Sequence, residues 1–369
     1  MKWFLIKTLL LFAPCLVFLI ELGLVKRLVK PSRRFLYGFC LLGLLAAGKF
    51  AGFRIFGGND FNPELPLPLI VAWGWLESVV WVGFPVGVVA VLFAWAVKPF
   101  RRLAFPTALT LSLVLATYGM WEGVRVPPAV EREIVVSDLP AEFDGYRIAH
   151  LSDLHCSSAA RRGKIAAVVA RANAAKPDLV AITGDFVDGL PSERADDLAP
   201  LADLRATDGV VASSGNHEGY YQIDEWMPYY RRWRVNMLRD EWTEVRRGGG
   251  RLVIIGEDDP SVSGEESNSL RLDLPAEGCR VLLRHRPVGC ESAEHDLGIR
   301  LQLSGHTHGG AMPVIARFVK LWNEGHVRGA YREGRLALHV SPGTGQWAGF
   351  PLRFFNQPEI TVLVLRRGM

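Results

Sequence analysis

The stretch Gly305-His306-Thr307-His308-Gly309-Gly310 decides the fold of the larger part of this chain, together with three shorter blocks before it. Those blocks are Asp153-Leu154-His155, Gly184-Asp185 and Gly215-Asn216-His217-Glu218, and a single His285 stands between the third block and the last. Each block follows a strand-like segment, which we predict at residues 147–152, 179–183, 210–213 and 300–304. We therefore expect the oxygen and imidazole side chains of the blocks to meet at strand ends.

These residue types suit a pair of divalent metal ions. Two such ions, about 3.5–4 Å apart, can hold a phosphate group and activate a hydroxide that bridges them. One carboxylate must serve both ions, and we predict Asp185, because Gly184 lets the backbone come close to the metals. Asp153 and His155 are two residues apart, so in extended geometry their side chains share a face and can bind one ion.

The remaining donors complete the two predicted sites. His306 and His308 repeat the spacing of the first block. One of them is expected to complete the ligand shell of the first ion, while the other binds the second ion. Asn216 would give that second ion a neutral oxygen, and His285 would give it an imidazole. Manganese, zinc and iron all suit mixed His, Asp and Asn ligation, and the sequence does not choose among them.

The set of motifs resembles the calcineurin-like metallophosphoesterase superfamily over residues 146–365, in particular its membrane-anchored bacterial members. The resemblance implies two ligand sets: Asp153, His155, Asp185 and His308 for the first ion, and Asp185, Asn216, His285 and His306 for the second. It also implies that His217 contacts the phosphate and protonates the leaving oxygen, a role that imidazole fills near neutral pH, with Glu218 orienting it.

The function that follows is metal-dependent hydrolysis of a phosphodiester, phosphomonoester or pyrophosphate bond, by attack of a metal-bridging hydroxide. The alternative is a metal-binding sensor or accessory domain of a membrane protein that keeps the ligands without turnover. The complete set of ligands, with His217 and Glu218 present, favours the enzyme.

Residues 1–124 are much more apolar than the rest of the chain. The chain is 49% hydrophobic although 22% of its residues are charged, and its mean hydropathy is +0.16. The apolar excess lies in four runs, at residues 3–24, 35–53, 71–97 and 103–121, each near the roughly 20 residues that cross a bilayer as a helix. We predict a transmembrane region of about four helices at 1–124 and the metallophosphoesterase domain at 125–369. The first run could instead be a signal peptide.

Basic residues predict the orientation of this integral membrane protein in the cell (inner) membrane. Lysines and arginines cluster at residues 26–34 and 98–102, after the first and third runs, and such loops are retained in the cytoplasm. The loop at residues 57–68 has acidic residues and no basic one. The catalytic domain is therefore expected on the extracytoplasmic side.

In the first half of the domain predicted at residues 125–369, strands alternate with helices. In its second half, strands follow one another without long helices between them. Helices are predicted near residues 160–174 and 192–205, and later strands at 251–256, 280–283, 336–340 and 359–365. This pattern predicts two packed mixed sheets with helices outside, in agreement with the α/β/β/α sandwich that the resemblance implies. The stretch Arg246–Arg251, with its three glycines, is predicted to be a hairpin turn rather than a phosphate loop.

Several other residues carry weaker expectations. Cys279 and Cys290 are the only plausible disulfide pair if the domain faces an oxidising space. Lys49 and Glu77 are expected each to reach the headgroup region, and the alternative is an ion pair between them within the membrane region. We assign the histidines outside the motifs to packing or to the surface: His150, His295, His326 and His339. A net charge of +4 gives no reason to expect a nucleic-acid surface.

Three aromatic segments near the motifs bear on the substrate. They are residues 220–234, the group Phe318, Leu321 and Trp322, and the group Trp347, Phe350, Phe354 and Phe355. In a membrane-tethered enzyme such segments could lie against lipid headgroups, which favours a lipid-linked phosphodiester or pyrophosphate. The alternative is that they pack on the edge of the sandwich.

Overall fold

The computed structural model describes Gly48, Gly52 and residues 55–58, 62–264, 272–349 and 351–368. The chain forms two compact units, one of Met1–Gly123 with Ala348–Arg353 and the other of Val124–Trp347 with Phe354–Met369. The sequence-based division at residues 124 and 125 stays a prediction, and it did not anticipate that 348–353 belong to the first unit. Apart from Gly48 and Gly52, the first two predicted spans lie outside the described residues. So do Lys49 of the predicted ion pair and Phe350.

Two long helices make up most of the described first unit. Helix α1 (Leu67–Ala96) and helix α2 (Arg101–Val124) are joined by a 3₁₀ turn, Lys98–Phe100. Trp75 Nε1 donates a hydrogen bond to Thr117 Oγ1 at 2.9 Å and links the two helices. Within the described part of the chain, α1 alone is long and apolar enough to cross a membrane, judged by length and composition. The number of spans therefore stays a prediction.

The segment Ala348–Arg353 packs against α2 within the same unit. The backbone N–H of Arg353 donates to Gly119 O at 3.0 Å. A side chain at Gly123 would collide with the carbonyl group of Pro351. This close approach of two backbones explains why position 123 holds glycine.

The second unit contains two six-stranded mixed sheets. The first sheet has the order β1-β12-β2-β3-β4-β5, and its strands are β1 (Ala129–Val136), β2 (Arg147–Leu151), β3 (Leu179–Thr183), β4 (Val210–Ser213), β5 (Val235–Met237) and β12 (Ile360–Arg367). The second sheet has the order β10-β11-β9-β8-β7-β6, and its strands are β6 (Glu241–Arg247), β7 (Gly250–Gly256), β8 (Cys279–Leu283), β9 (Ile299–Ser304), β10 (Gly329–Glu333) and β11 (Leu336–Val340).

Parallel pairing dominates the centre of each sheet. Strands β2 to β5 are parallel, as are β7, β8, β9 and β11. The helices of this unit are α3 (Arg162–Ala174), α4 (Pro191–Leu198), α5 (Asn216–Tyr220), α6 (Ile223–Arg232), α7 (Pro260–Ser263), α8 (Cys290–Leu297) and α9 (Pro313–Trp322), with 3₁₀ turns at Ala141–Phe143, Ala199–Asp203 and His308–Gly310.

Alternating side chains divide the buried residues into three layers of core. Ile148 of β2 belongs to the core between the two sheets, whereas its neighbour Ala149 faces the core that α3 and α6 share with the first sheet. On the far side of the second sheet, α8 packs against β7, β8 and β11. The period-two alternation of a strand thus builds the helix, sheet, sheet, helix order of layers.

The structure confirms the hairpin and corrects the disulfide. Strands β6 and β7 pair with Arg247 opposite Gly250, which leaves Gly248 and Gly249 as a two-residue turn. Cys279 and Cys290 are both free. Cys279 is buried between the sheets, but Cys290 lies in the core under α8. The second sheet therefore separates the two thiols.

Candidate metal centre

The carboxyl ends of parallel strands bring all the predicted donors into one place. Asp153 and His155 follow β2, Asp185 follows β3, and Asn216 follows β4; His285 follows β8, and His306 and His308 follow β9. Ligand sites in open α/β sheets form outside such strand ends. Three overlapping groups have donor atoms within 4.8 Å of one another: Asp153, His155 and His308; His155, Asp185 and His217; and Asp185, His285 and His306.

Asp185 lies at the middle of the cluster. Its Oδ2 is 3.7 Å from His155 Nε2 on one side and 3.3 Å from His285 Nε2 on the other. Its Oδ1 accepts a hydrogen bond from the backbone N–H of His217 at 2.9 Å. A single carboxylate oxygen therefore faces both halves of the donor set, as a bridging ligand requires.

Each half contains further donors at short range. In the first half, Asp153 Oδ1 is 3.4 Å from His308 Nε2, and the Nε2 atoms of His155 and His308 are 3.1 Å apart. In the second half, His306 Nδ1 is 3.3 Å from His285 Nε2. Nitrogen and oxygen atoms that point at one another in this way suit a shared cation.

Left-handed backbone conformations, rather than strand alternation, aim these side chains. Strand β2 ends at Leu151, and the φ angles of Asp153 and His155 are 54° and 45°. Positive φ recurs at Asp185, His306 and His308. The expectation that Asp153 and His155 share one face of an extended strand was therefore wrong. Non-glycine residues are uncommon in this region and cluster at functional sites, where the surrounding structure holds them.

Gly184 allows the ends of β3 and β4 to touch. Its φ is +75°, and a Cβ at this position would lie 2.5 Å from Gly215 Cα and 2.8 Å from His285 Nδ1. Both the conformation and the space therefore require glycine. This agrees with the close backbone approach that the sequence predicts beside Asp185.

Hydrogen bonds fix the imidazole rings with one nitrogen toward the cluster. His285 Nδ1 donates to Thr183 O at 2.7 Å, and His155 Nδ1 donates to Asp188 Oδ1 at 2.9 Å, so Nε2 of each ring faces the other donors. Asn216 Oδ1 is buried and has no hydrogen-bond partner within the described ranges. A buried oxygen without a donor is costly unless it binds a cation, so the donor set fits metal ions.

Asp188 is a residue of the cluster that the sequence reasoning missed. Its Oδ1 accepts from His155 Nδ1 and also from His217 Nδ1, at 2.5 Å. It is buried, three positions after Asp185 in the loop that leaves β3. In the sequence it is marked only as an aspartate three positions after Asp185, which is a weak signal.

The structure changes the expected role of Glu218. Its carboxylate accepts three backbone N–H groups, those of Asp185, Phe186 and Gly215, at 2.7–2.8 Å. The residue lies in the first turn of α5, so its side chain folds back toward the start of that helix. The contact that orients the His217 ring therefore comes from Asp188, and Glu218 instead fixes the loops that hold Asp185 and Asn216.

Charge and burial shift the pKa values of these groups in the protein without metal. Burial lowers the pKa of His217, but the carboxylates of Asp185 and Asp188 outweigh it and raise the value to about 9. For His285 the same balance, with Asp185 as the main partner, gives a pKa of about 10. Burial and the nearby Asp185 raise the pKa of Glu218 to about 7. His217 Nε2 is thus suited to hold a proton at neutral pH.

The histidines outside the motifs have structural partners, as expected. His150 lies between Thr183 Oγ1 and His339 Nδ1, each at 2.9 Å, inside the sandwich. His326 bonds to Pro287 O and pairs with Glu333, and His295 is exposed beside Asp296.

The three aromatic segments divide into buried and exposed parts. Trp226, Tyr230 and Trp233 are buried in the core under α6, so the packing alternative holds for them. Tyr220 is exposed with its ring centre 5.4 Å from that of His217, and the Trp347 ring is 4.9 Å from His308. The exposed fractions of Phe318, Leu321 and Trp322 on α9 are 55%, 78% and 74%. Phe354 is buried and Phe355 is exposed.

Two mixed sheets with clustered histidines and carboxylates at their strand ends define a phosphoesterase-type metal centre. The family model of calcineurin-like phosphoesterases matches residues 146–310. An uncharacterised metallophosphoesterase of Helicobacter pylori is 30% identical over 274 residues, which are 73% of this chain and 71% of that protein. The chain belongs to the calcineurin-like metallophosphoesterase family.

Animal relatives also match. A transmembrane protein with metallophosphoesterase domain from Danio rerio is 30% identical over 71% of this chain and 62% of its own length. A metallophosphoesterase of Caenorhabditis elegans is 28% identical over 70% of this chain and 56% of its own length. The chain thus spans less than two thirds of these animal relatives.

Proposed function

We propose that this protein is a membrane-anchored phosphohydrolase with two metal ions, cleaving a phosphodiester, phosphomonoester or pyrophosphate bond. The observation that carries the proposal is the position of Asp185 Oδ2, between His155 Nε2 at 3.7 Å and His285 Nε2 at 3.3 Å. One shared carboxylate with a donor group on each side is the arrangement that a dinuclear site needs.

Seven residues would hold the ions. Asp153, His155, Asp185 and His308 would bind the first, and Asp185, Asn216, His285 and His306 the second. The set has borderline imidazole and hard oxygen donors and no thiolate, which suits manganese, zinc or iron. When bound, the ions supply Lewis-acid activation of a water nucleophile and offset the negative charge on phosphate oxygens.

Side chains of the protein would supply the proton for the leaving oxygen and hold the metal-binding loops in position. Asp188 binds His217 Nδ1 and thereby leaves His217 Nε2 directed at the cluster, 3.9 Å from Asp185 Oδ2. The His217 side chain keeps 19% of its surface exposed, so the proton on Nε2 can reach a leaving oxygen. Glu218 holds the backbone of Asp185 and Gly215 in place.

A lipid-linked substrate at the bilayer is the finer part of the proposal. It is supported by the apolar helix α1 and by the exposed apolar side chains of α9, which begins shortly after His308. The name of the Danio rerio relative, a transmembrane protein with metallophosphoesterase domain, also favours it. The basic clusters in the sequence at residues 26–34 and 98–102 favour a catalytic domain on the extracytoplasmic side.

Hydrolysis of a soluble diester by the detergent-solubilised full chain with manganese tests the proposed reaction. Asp185→Asn is expected to lose both metal and activity. His217→Ala should keep the metal and lose about 10²–10⁴-fold in kcat, the usual contribution of general acid catalysis. Wild-type protein that binds two metal ions but cleaves no ester or pyrophosphate would support the metal-sensor alternative instead.

A further inference from the structure

Arg286, the residue after the donor His285, has a guanidinium group fixed by a buried carboxylate. Its Nε donates to Asp259 Oδ2 at 2.7 Å, and its Nη2 donates to Asp259 Oδ1 at 2.9 Å. The Asp259 side chain is 1% exposed and also accepts from the backbone N–H and the hydroxyl of Ser261. A two-point pair with an immobile carboxylate sets the plane of the arginine.

This arginine lies beside the donor cluster. Ser261 Oγ, which touches Asp259, is also 3.2 Å from the backbone oxygen of Asn216. Arg286 also directly follows the donor His285 in the sequence. Its partner Asp259 is thus linked through Ser261 to the backbone of Asn216, and the guanidinium is held next to the second donor group.

Arg284 provides a direct contrast two residues earlier. It makes the same two-point pair with Glu257, at 2.9 and 2.7 Å. However, its Nη1 also donates to the backbone oxygens of Val288 and Gly289, and its side chain is 15% exposed. Arg284 thus uses all three nitrogens within the fold, as a structural arginine does.

In contrast, Arg286 uses only two of its three side-chain nitrogens in the pair with Asp259. Its Nη1 makes no hydrogen bond to any group in the described ranges, and its side chain is 36% exposed. The pair with Asp259 therefore orients a charged donor next to the cluster without using it fully. A planar, fixed guanidinium with a free N–H edge matches the oxygens of a phosphate group.

We propose that Arg286 binds an anionic phosphate oxygen of the substrate, and that Asp259 is the residue that positions it. The inference rests on the proposed function for its substrate and adds a contact outside the seven metal donors. The positive charge beside His285 would draw the phosphate toward the cluster and hold it there during cleavage.

Binding of inorganic phosphate to the manganese-loaded full chain tests this assignment without requiring turnover. We expect Arg286→Gln to weaken phosphate binding, measured by titration calorimetry, by about tenfold or more, the loss typical for a hydrogen bond between charged groups. Arg284→Gln is the matched control and should bind phosphate like the wild type. Metal content, measured on the same samples, should be unchanged in both variants.

The kinetic consequence is specific to substrate binding. If the wild type hydrolyses a diester, Arg286→Gln should raise KM more than it lowers kcat. Should that variant fail to fold or to keep its metal, Arg286→Lys serves in its place, because it retains the charge but cannot make the two-point pair; it too should bind phosphate more weakly.

Equal phosphate affinity in the Arg286 variant and the Arg284 control would overturn the assignment, as would a wild type that binds no phosphate when metal-loaded. Phosphate binding that depends on Arg286 in a protein that hydrolyses nothing would refute the proposed function while supporting the phosphate contact. The two proposals can therefore fail separately.

Discussion

One oxygen atom of Asp188 contacts both a candidate metal ligand and the proposed general acid. Its Oδ1 accepts from the metal-donor candidate His155 and from His217. We expect Asp188→Asn to lower both metal affinity and kcat by about 10–100-fold, the usual effect of losing a carboxylate behind a ligating imidazole. Metal titration and diester hydrolysis measure the two quantities separately.

The control for this substitution is Asp203→Asn, which removes an exposed carboxylate at the end of a 3₁₀ turn and should change neither quantity. Wild-type metal affinity and kcat in Asp188→Asn would mean that the ring contacts of Asp188 are not functional.

At the scale of residues, motif spacing identified the histidines and carboxylates that cluster in the described part of the structure. It misjudged how they are aimed, because the left-handed conformations of Asp153 and His155 depend on the loops around them and not on local propensity. The family resemblance gave the orienting role to Glu218, but its side chain folds back onto backbone N–H groups instead. Asp188 went unnoticed because a single aspartate after Gly184-Asp185 has no distinct pattern.

At the scale of elements, the close approach of the loops after β3 and β4 is what places Asp185 beside Asn216. Gly184→Ala would force a Cβ against Gly215 and His285 in addition to a positive φ. Strain alone costs about 1–2 kcal/mol, and the clash adds to it. We expect a lower thermal unfolding midpoint together with weaker metal binding.

Gly209→Ala separates these two effects. Its φ is +90°, but a Cβ there meets nothing within 4 Å, so only the strain remains and metal affinity should be unchanged. Equal metal affinity in the two variants would mean that the close approach of Gly184 to Gly215 does not position the metal donors.

The elements themselves were predictable where the pattern was long enough. Strands β3, β4 and β11 match their predicted ranges, and α3 begins two residues after its predicted start. Strand β5 has three residues, which is too short for a period-two signal. Helix α9 was not predicted, and the predicted helix at 192–205 is instead α4 followed by a 3₁₀ turn.

At the scale of the whole molecule, α9 presents an unusual surface for a water-soluble domain. Phe318, Leu321 and Trp322 are exposed on it beside the basic residues Arg317 and Lys320. This combination is typical of helices that lie in a membrane interface.

Replacing these three apolar residues by serine should slow cleavage of a phosphodiester lipid in vesicles by at least about tenfold, since burial of one such side chain contributes roughly 1.5–3 kcal/mol. Hydrolysis of a soluble diester should not change. Val135→Ser, at an exposed apolar position of β1, is the control and should leave both rates at the wild-type level. An equal loss on both substrates would remove the argument for a lipid-linked substrate.

The order of the strands in each sheet could not be predicted from local sequence patterns. Strand β12 pairs with both β1 and β2, although more than 200 residues separate them in sequence, and hydrophobic periodicity carries no information on such partners. The two mixed sheets were expected from the alternation of elements and from the family resemblance, and the structure has them.

A titration of manganese into the metal-free full chain, with diester hydrolysis followed at each addition, tests whether the reaction needs two metal ions. The shared position of Asp185 predicts that activity remains low through the first equivalent, rises with the second, and is absent from Asp185→Asn at any ratio. Full activity at one equivalent per chain, or undiminished activity in Asp185→Asn, would contradict a reaction that needs two ions held by one bridging carboxylate.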